Sequence, residues 1–106
     1  MTEPLITMLE IYKPLEIGKD WMNYKINRPR DLTFHHILEA RNGGKRIITN
    51  GAILVKKSHM FLNYLDNNIH SAYMDLNYLF FLLNCTEAPP TEEYYREVNK
   101  ILKRVR

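Results

Sequence analysis

Residues 32–38, Leu-Thr-Phe-His-His-Ile-Leu, constrain the fold more than any other stretch, because side chains there alternate with the period of a strand. The alternation puts Leu32, Phe34 and His36 on one face and Thr33, His35 and Ile37 on the other. Two neighbouring histidines therefore point in opposite directions and can hold different jobs. A loop carrying Asn42-Gly43-Gly44 follows, then Asn50-Gly51, a short apolar run over 52–55, and Ser58-His59 opening a helix.

Three imidazoles in such a unit suit one kind of chemistry. Phosphodiester hydrolysis needs an activated water, a cation on the phosphate and leaving oxygens, and little covalent help from the protein. A neutral imidazole with a pKa near about 6.5 suits the first task. Two further imidazoles, one from a strand and one from a helix packed on it, suit the second and leave coordination positions open.

The order is a histidine pair, an asparagine fourteen residues after His36, and a histidine nine residues after Asn50. It resembles the HNH nucleases, whose fold is a β-hairpin and helix gripping one metal ion. The resemblance covers residues 31–66, with the glycine-bearing loop and the Asn-x-x-x-Leu approach to the helix. It implies that His35 and His59 bind one divalent ion (Mn, Ni, Zn or Mg), that His36 is the general base, and that Asn50 braces the loop and orients His36. It also implies products with 5′-phosphate and 3′-hydroxyl ends. Many members carry another histidine four residues beyond the helix ligand; here Asn63 stands there and offers at best a weak amide oxygen. Cysteine pairs that hold a structural zinc in many members have no counterpart, since Cys85 is the one cysteine.

A chain of 106 residues is the size of one domain, and an apolar share of 45% is that of a globular protein. No apolar run approaches the roughly 18 residues of a membrane span, and no signal-like segment opens the chain. A soluble, cytoplasmic protein of a bacterial or phage-infected cell is expected. The net charge of +3 is unevenly spread. Residues 28–57 hold seven basic side chains (Arg28, Arg30, Arg41, Lys45, Arg46, Lys56, Lys57) against Asp31 and Glu39, whereas residues 64–95 hold five acidic ones and no lysine or arginine. Arg41, Lys45, Arg46, Lys56 and Lys57 are thus candidates for a DNA phosphate backbone, the alternative being an ordinary solvated loop.

The first 27 residues say least. Residues 5–12 fit a strand or a short helix, and Trp21, Met22 and Tyr24 fit a core under the hairpin better than a base-stacking surface. Beyond the motif, Asn67-Asn68 breaks one helix and residues 69–84 form the next. Its stripe of Ile69, Ala72, Tyr73, Leu76, Leu79, Phe80 and Leu83 is widened by Tyr78, Phe81 and Leu82, which predicts burial on two sides. His70 is expected at the surface or as a cap. Pro89-Pro90 breaks the chain again, Thr91 caps the last helix, and Tyr95, Val98, Leu102 and Val105 form its buried face.

The expectation is a single α+β domain over 1–106, a ββα-metal core within 31–66 and two C-terminal helices within 69–105. Its function is expected to be that of an HNH-type DNA endonuclease or nickase. The alternative is a non-catalytic protein on the same scaffold, such as a phage counter-defence inhibitor acting on a nuclease or on DNA. A protein partner belongs to that alternative.

Overall fold

In the computed structural model, which describes residues 3–106, the elements run α1 (Glu3–Tyr12), a short α2 (Pro14–Ile17), β1 (Leu32–His36), β2 (Gly51–Val55), α3 (Lys56–Asn68), α4 (His70–Thr86) and α5 (Glu92–Val105). The fold is α+β. The segment left open between strand and helix is helix α1, whose Leu5, Met8 and Tyr12 recur at helical spacing and are buried. Among the described residues no helix is long and apolar enough to cross a membrane.

The strands pair antiparallel, with Leu32 opposite Val55 and His36 opposite Gly51. All five residues of β2 are buried, because α1 packs on one face of the hairpin while α3 and α4 cover the other. That explains why 52–55 reads as a continuous apolar run rather than an alternating one. β1 keeps its alternation: Thr33 and His35 face α3 and α4, and Phe34 packs with Met8 over Gly51. A Cβ on Gly51 would stand 2.3 Å from the Phe34 ring, so only glycine lets that ring lie on the strand.

The outer edge of β2 is covered by residues 19–25, where the backbone N–H of Trp21 donates to Ile53 O at 3.0 Å. Trp21 and Met22 are fully buried, so this tryptophan belongs to the core, with Tyr12 edge-on at 4.8 Å. Asp20, beside it, is also fully buried. Its carboxylate accepts from the N–H groups of Met22 (2.8 Å), Tyr24 (2.9 Å) and Val55 (2.9 Å) and from the Ser58 hydroxyl. Burial raises the Asp20 carboxyl above its ordinary pKa, and the four donors oppose that rise. Val55 is the residue that caps α3, and the helix starts at Lys56, two residues before Ser58-His59, with the Asp20 carboxylate rather than an N-cap side chain at its end.

Helix α4 differs from expectation on its outer side. Ala72, Tyr73, Leu76, Phe80 and Leu83 are buried against the hairpin and α5, but Met74, Tyr78 and Phe81 are 53%, 62% and 50% exposed. No element of the described chain covers that side, so burial is on one broad face rather than two. Helix α5 begins with Thr91 accepting from the Tyr94 N–H at 3.2 Å and buries Tyr95, Val98 and Leu102.

Candidate functional site

Antiparallel pairing sets the start of α3 beside the start of β1, where Leu32 faces Val55, and α3 packs back across the hairpin so that the three motif histidines line one cavity. His35, His36, His59, Asn63, Glu39, Arg41, Asp66 and Tyr73 line one cavity of about 330 Å³. The ring centres of His35 and His59 lie 5.4 Å apart with planes at 84°. His36, half-buried, stands edge-on to Phe34 at 5.0 Å.

Hydrogen bonds decide which nitrogen of each ring carries a proton. The Thr33 hydroxyl has one hydrogen and gives it to Leu54 O at 2.7 Å. At the His59 contact, 2.9 Å from Nδ1, that hydroxyl must therefore accept. His59 is the Nδ1–H tautomer, with an unprotonated Nε2. His35 Nε2 lies 2.7 Å from the Asn77 side-chain oxygen, an acceptor, so His35 is the Nε2–H tautomer with an unprotonated Nδ1.

Burial pushes the His35 imidazole down to about 4; the Asn77 bond opposes this, and the neighbouring His59 and His36 add to it. Burial, and then His36, also lowers His59. Both rings are neutral near pH 7, which is the state a metal ligand requires.

The donor set fits part of a metal centre. Two imidazoles bonded at about 2.1 Å to one tetrahedral ion have ring centres roughly 5 Å apart, close to the separation of this pair. Among the described residues no group of three or more histidine, cysteine, aspartate or glutamate side chains is disposed to hold an ion. The pair therefore leaves most of a coordination sphere to water or phosphate. Asn63 lines the cavity with an exposed side chain.

Asn50 acts on the loop. Its amide accepts from the Leu38 N–H at 2.8 Å and donates to Leu38 O and Lys45 O, both at 3.0 Å. Its own carbonyl takes the Ile37 N–H at 2.9 Å, one residue past the strand pairing. It reaches His36 only through that backbone. Gly44 completes the closure: a Cβ there would stand 1.7 Å from Leu38 O. Asn84, from α4, ties the same loop down by donating to Ile48 O and Gly51 O, each at 2.7 Å.

The basic candidates fall into two groups. Arg41 reaches the cavity and pairs with Glu39, while Arg46 lies over the Phe34 ring at 5.0 Å and Lys45 is exposed in the loop. Lys56 and Lys57 line a separate cleft with Lys25 and Arg28, at the opposite end of the hairpin. His70 is exposed and bonds Asp66 at 3.1 Å across the junction of α3 and α4.

Sequence reasoning did not find Thr33, Asn77, Tyr73 or Glu39 as partners of the site. Thr33 lay on the correct strand face for His59, but Asn77 and Tyr73 read only as parts of an apolar helix. No protein-family model, curated protein or solved structure matches this chain.

Proposed function

We propose that the protein is a metal-dependent DNA endonuclease or nickase of the HNH type, acting in the cytoplasm of a bacterial or phage-infected cell. The observation that carries the reading is the pair of neutral imidazoles, His35 and His59, each with one unprotonated nitrogen, on a cavity that His36 also lines. His35 and His59 would hold a divalent ion, which when bound supplies positive charge to the phosphate and the leaving oxygen. His36 takes the proton from the attacking water. Asn50 and Gly44 keep the loop closed at the end of β1, which fixes the backbone from which His36 projects. Arg41, Lys45 and Arg46 lie on the same loop and meet the phosphate backbone.

Incubation of the protein with supercoiled plasmid and, separately, Mg²⁺, Mn²⁺, Ni²⁺ and Zn²⁺ should give nicked or linear DNA with at least one ion. His36→Ala should lower the rate by about 10²- to 10⁴-fold while leaving metal affinity nearly unchanged. Wild-type nicking by that variant would remove His36 from the reaction. No cleavage by the wild type with any of the four ions would overturn the nuclease reading.

A further inference from the structure

The cavity's best-defined neighbours are not its ligands but the groups behind His35. Tyr73 and Asn77 sit one turn apart on α4, and Glu39 lies in the loop after β1. The Tyr73 hydroxyl donates to Glu39 Oε1 at 3.1 Å. An ionised carboxylate only accepts, so the single Tyr73 hydrogen is committed to it and the phenol oxygen is left as an acceptor. Asn77 is the hydrogen-bonding neighbour of that oxygen one turn on, and an oxygen that can only accept takes the NH₂ end of the amide. Its oxygen must then face His35, whose Nε2 lies 2.7 Å away. Each bond in this series is oriented by the one before it, and the first is oriented by a charge.

We propose that Glu39, Tyr73 and Asn77 form a directional hydrogen-bond chain that holds His35 as the Nε2–H tautomer and keeps its Nδ1 lone pair for a divalent ion. This rests on the metal reading above and adds three positioning residues to it. Tyr73 and Asn77 lie outside the strand–loop–helix motif, and Glu39 lies in its loop. A neutral imidazole on its own exchanges its proton between both nitrogens, and the Nδ1–H form of His35 would offer a hydrogen where an ion needs an electron pair. It would also set two lone pairs, on Nε2 and on the Asn77 oxygen, against each other in a buried place. Thr33 does for His59 what the chain does for His35, in the opposite tautomeric sense. Partners of this kind change metal affinity by about 10- to 100-fold when removed.

The test starts on metal-free protein. Two-dimensional ¹⁵N–¹H spectra that link ring nitrogens to ring carbon-bound protons should show His35 protonated at Nε2 and bare at Nδ1 near pH 7. Asn77→Leu should allow the Nδ1–H form and weaken Mn²⁺ or Zn²⁺ binding, measured by calorimetry, by about 10- to 100-fold. Asn77→Asp keeps an acceptor for Nε2–H, so tautomer and affinity should both stay near wild type. Tyr73→Phe frees the amide to turn over and should give a mixture of tautomers with an intermediate loss. A purely structural role predicts that Asp and Leu at position 77 weaken binding alike; that outcome overturns the proposal, as does wild-type protein carrying the proton on Nδ1. If the tautomer is as stated and responds to the variants but wild-type protein takes up no divalent ion, the metal reading fails and with it the purpose assigned to the chain. The directional chain itself would then remain as measured.

Discussion

Where β2 runs into α3, Asp20 collects three backbone N–H groups and the Ser58 hydroxyl in a place that water does not reach. Where β1 runs into its loop, Asn50 makes three bonds of the same side-chain-to-backbone kind, but in an exposed setting. At the first end every donor that Asp20 gathers is paired, although the Trp21 indole N–H beside it has no partner among the described residues. The second leaves unprotonated nitrogens on His35 and His59 beside a cavity. The difference is one of consequence: donors around Asp20 have no replacement partner, whereas those around Asn50 can turn to water. Stability is thus concentrated at the Asp20 end, and the histidine end can carry groups that are not satisfied by the fold.

Removing Asp20 breaks the comparison most severely. Asp20→Ala strands two buried N–H groups and a part-buried one, each buried one worth about 1–3 kcal/mol, so urea or thermal unfolding should show a loss of about 3 kcal/mol. Asp20→Asn keeps one oxygen acceptor and should lose less. Near wild-type stability in Asp20→Ala would mean that residues 19–25 do not hold the β2–α3 junction.

The histidine end carries a liability of its own, exposed by acid. His35 has a pKa of about 4 in the folded protein, against about 6.5 for an unfolded histidine, so the unfolded chain takes up a proton first as pH falls. Stability should therefore be flat with respect to this group above about pH 6.5 and decline between about 6.5 and 4. The slope approaches about 1.4 kcal/mol per pH unit, and the total is on the order of 3 kcal/mol. His59, lowered for the same reason, adds in the same direction. Chemical unfolding across this range, with chelator present, should show the decline, and His35→Phe should remove a large part of it. An unchanged pH profile in that variant would place the acid sensitivity elsewhere.

At the loop itself the expected loss is smaller. Asn50→Ala should cost about 1–2 kcal/mol, because Leu38 and Lys45 are exposed enough to bond water instead. On the nuclease reading, plasmid nicking should fall by much more than that loss of stability would cause. Loss of activity only in proportion to unfolded protein would make Asn50 a structural residue and no more.

The two ends also differ in how far the sequence disclosed them. Asn50, the histidine pair and His59 lie within one stretch with strand, loop and helix periods, and the structure brings the three histidines to one cavity and Asn50 to the loop beside it. The breaks at Asn67-Asn68 and Pro89-Pro90 bound α3, α4 and α5 closely, since turn and cap chemistry is local. Asp20 gave no signal, because its partners lie up to 38 residues away and a single aspartate in a loop carries no period. Asn77 was hidden the same way, 42 residues from His35 inside an apolar helix. The width of the α4 stripe overstated its burial: periodicity tells which residues share a face, not whether anything lies against it, and Tyr78 and Phe81 face outward.

The smallest expected effect on stability sharpens the comparison on the side of function. Lys45 and Arg46 lie on the loop at the histidine end, and Lys56 and Lys57 at the Asp20 end. If DNA lies across the histidine cavity, only the first pair is placed to touch its phosphates. Each such contact releases counterions and contributes roughly 0.9 to the slope of log affinity against log salt, so Lys45→Ala with Arg46→Ala should make the slope shallower by about two units. Lys56→Ala with Lys57→Ala should change it little, and neither pair should shift unfolding by more than about 0.5 kcal/mol apart from the lost contact of Arg46 with Phe34. Fluorescence anisotropy with a short labelled duplex over a salt series reads both slopes. A larger change from the Lys56 and Lys57 pair would put the nucleic acid along the cleft with Lys25 and Arg28, at the end where Asp20 sits, away from His35 and His36.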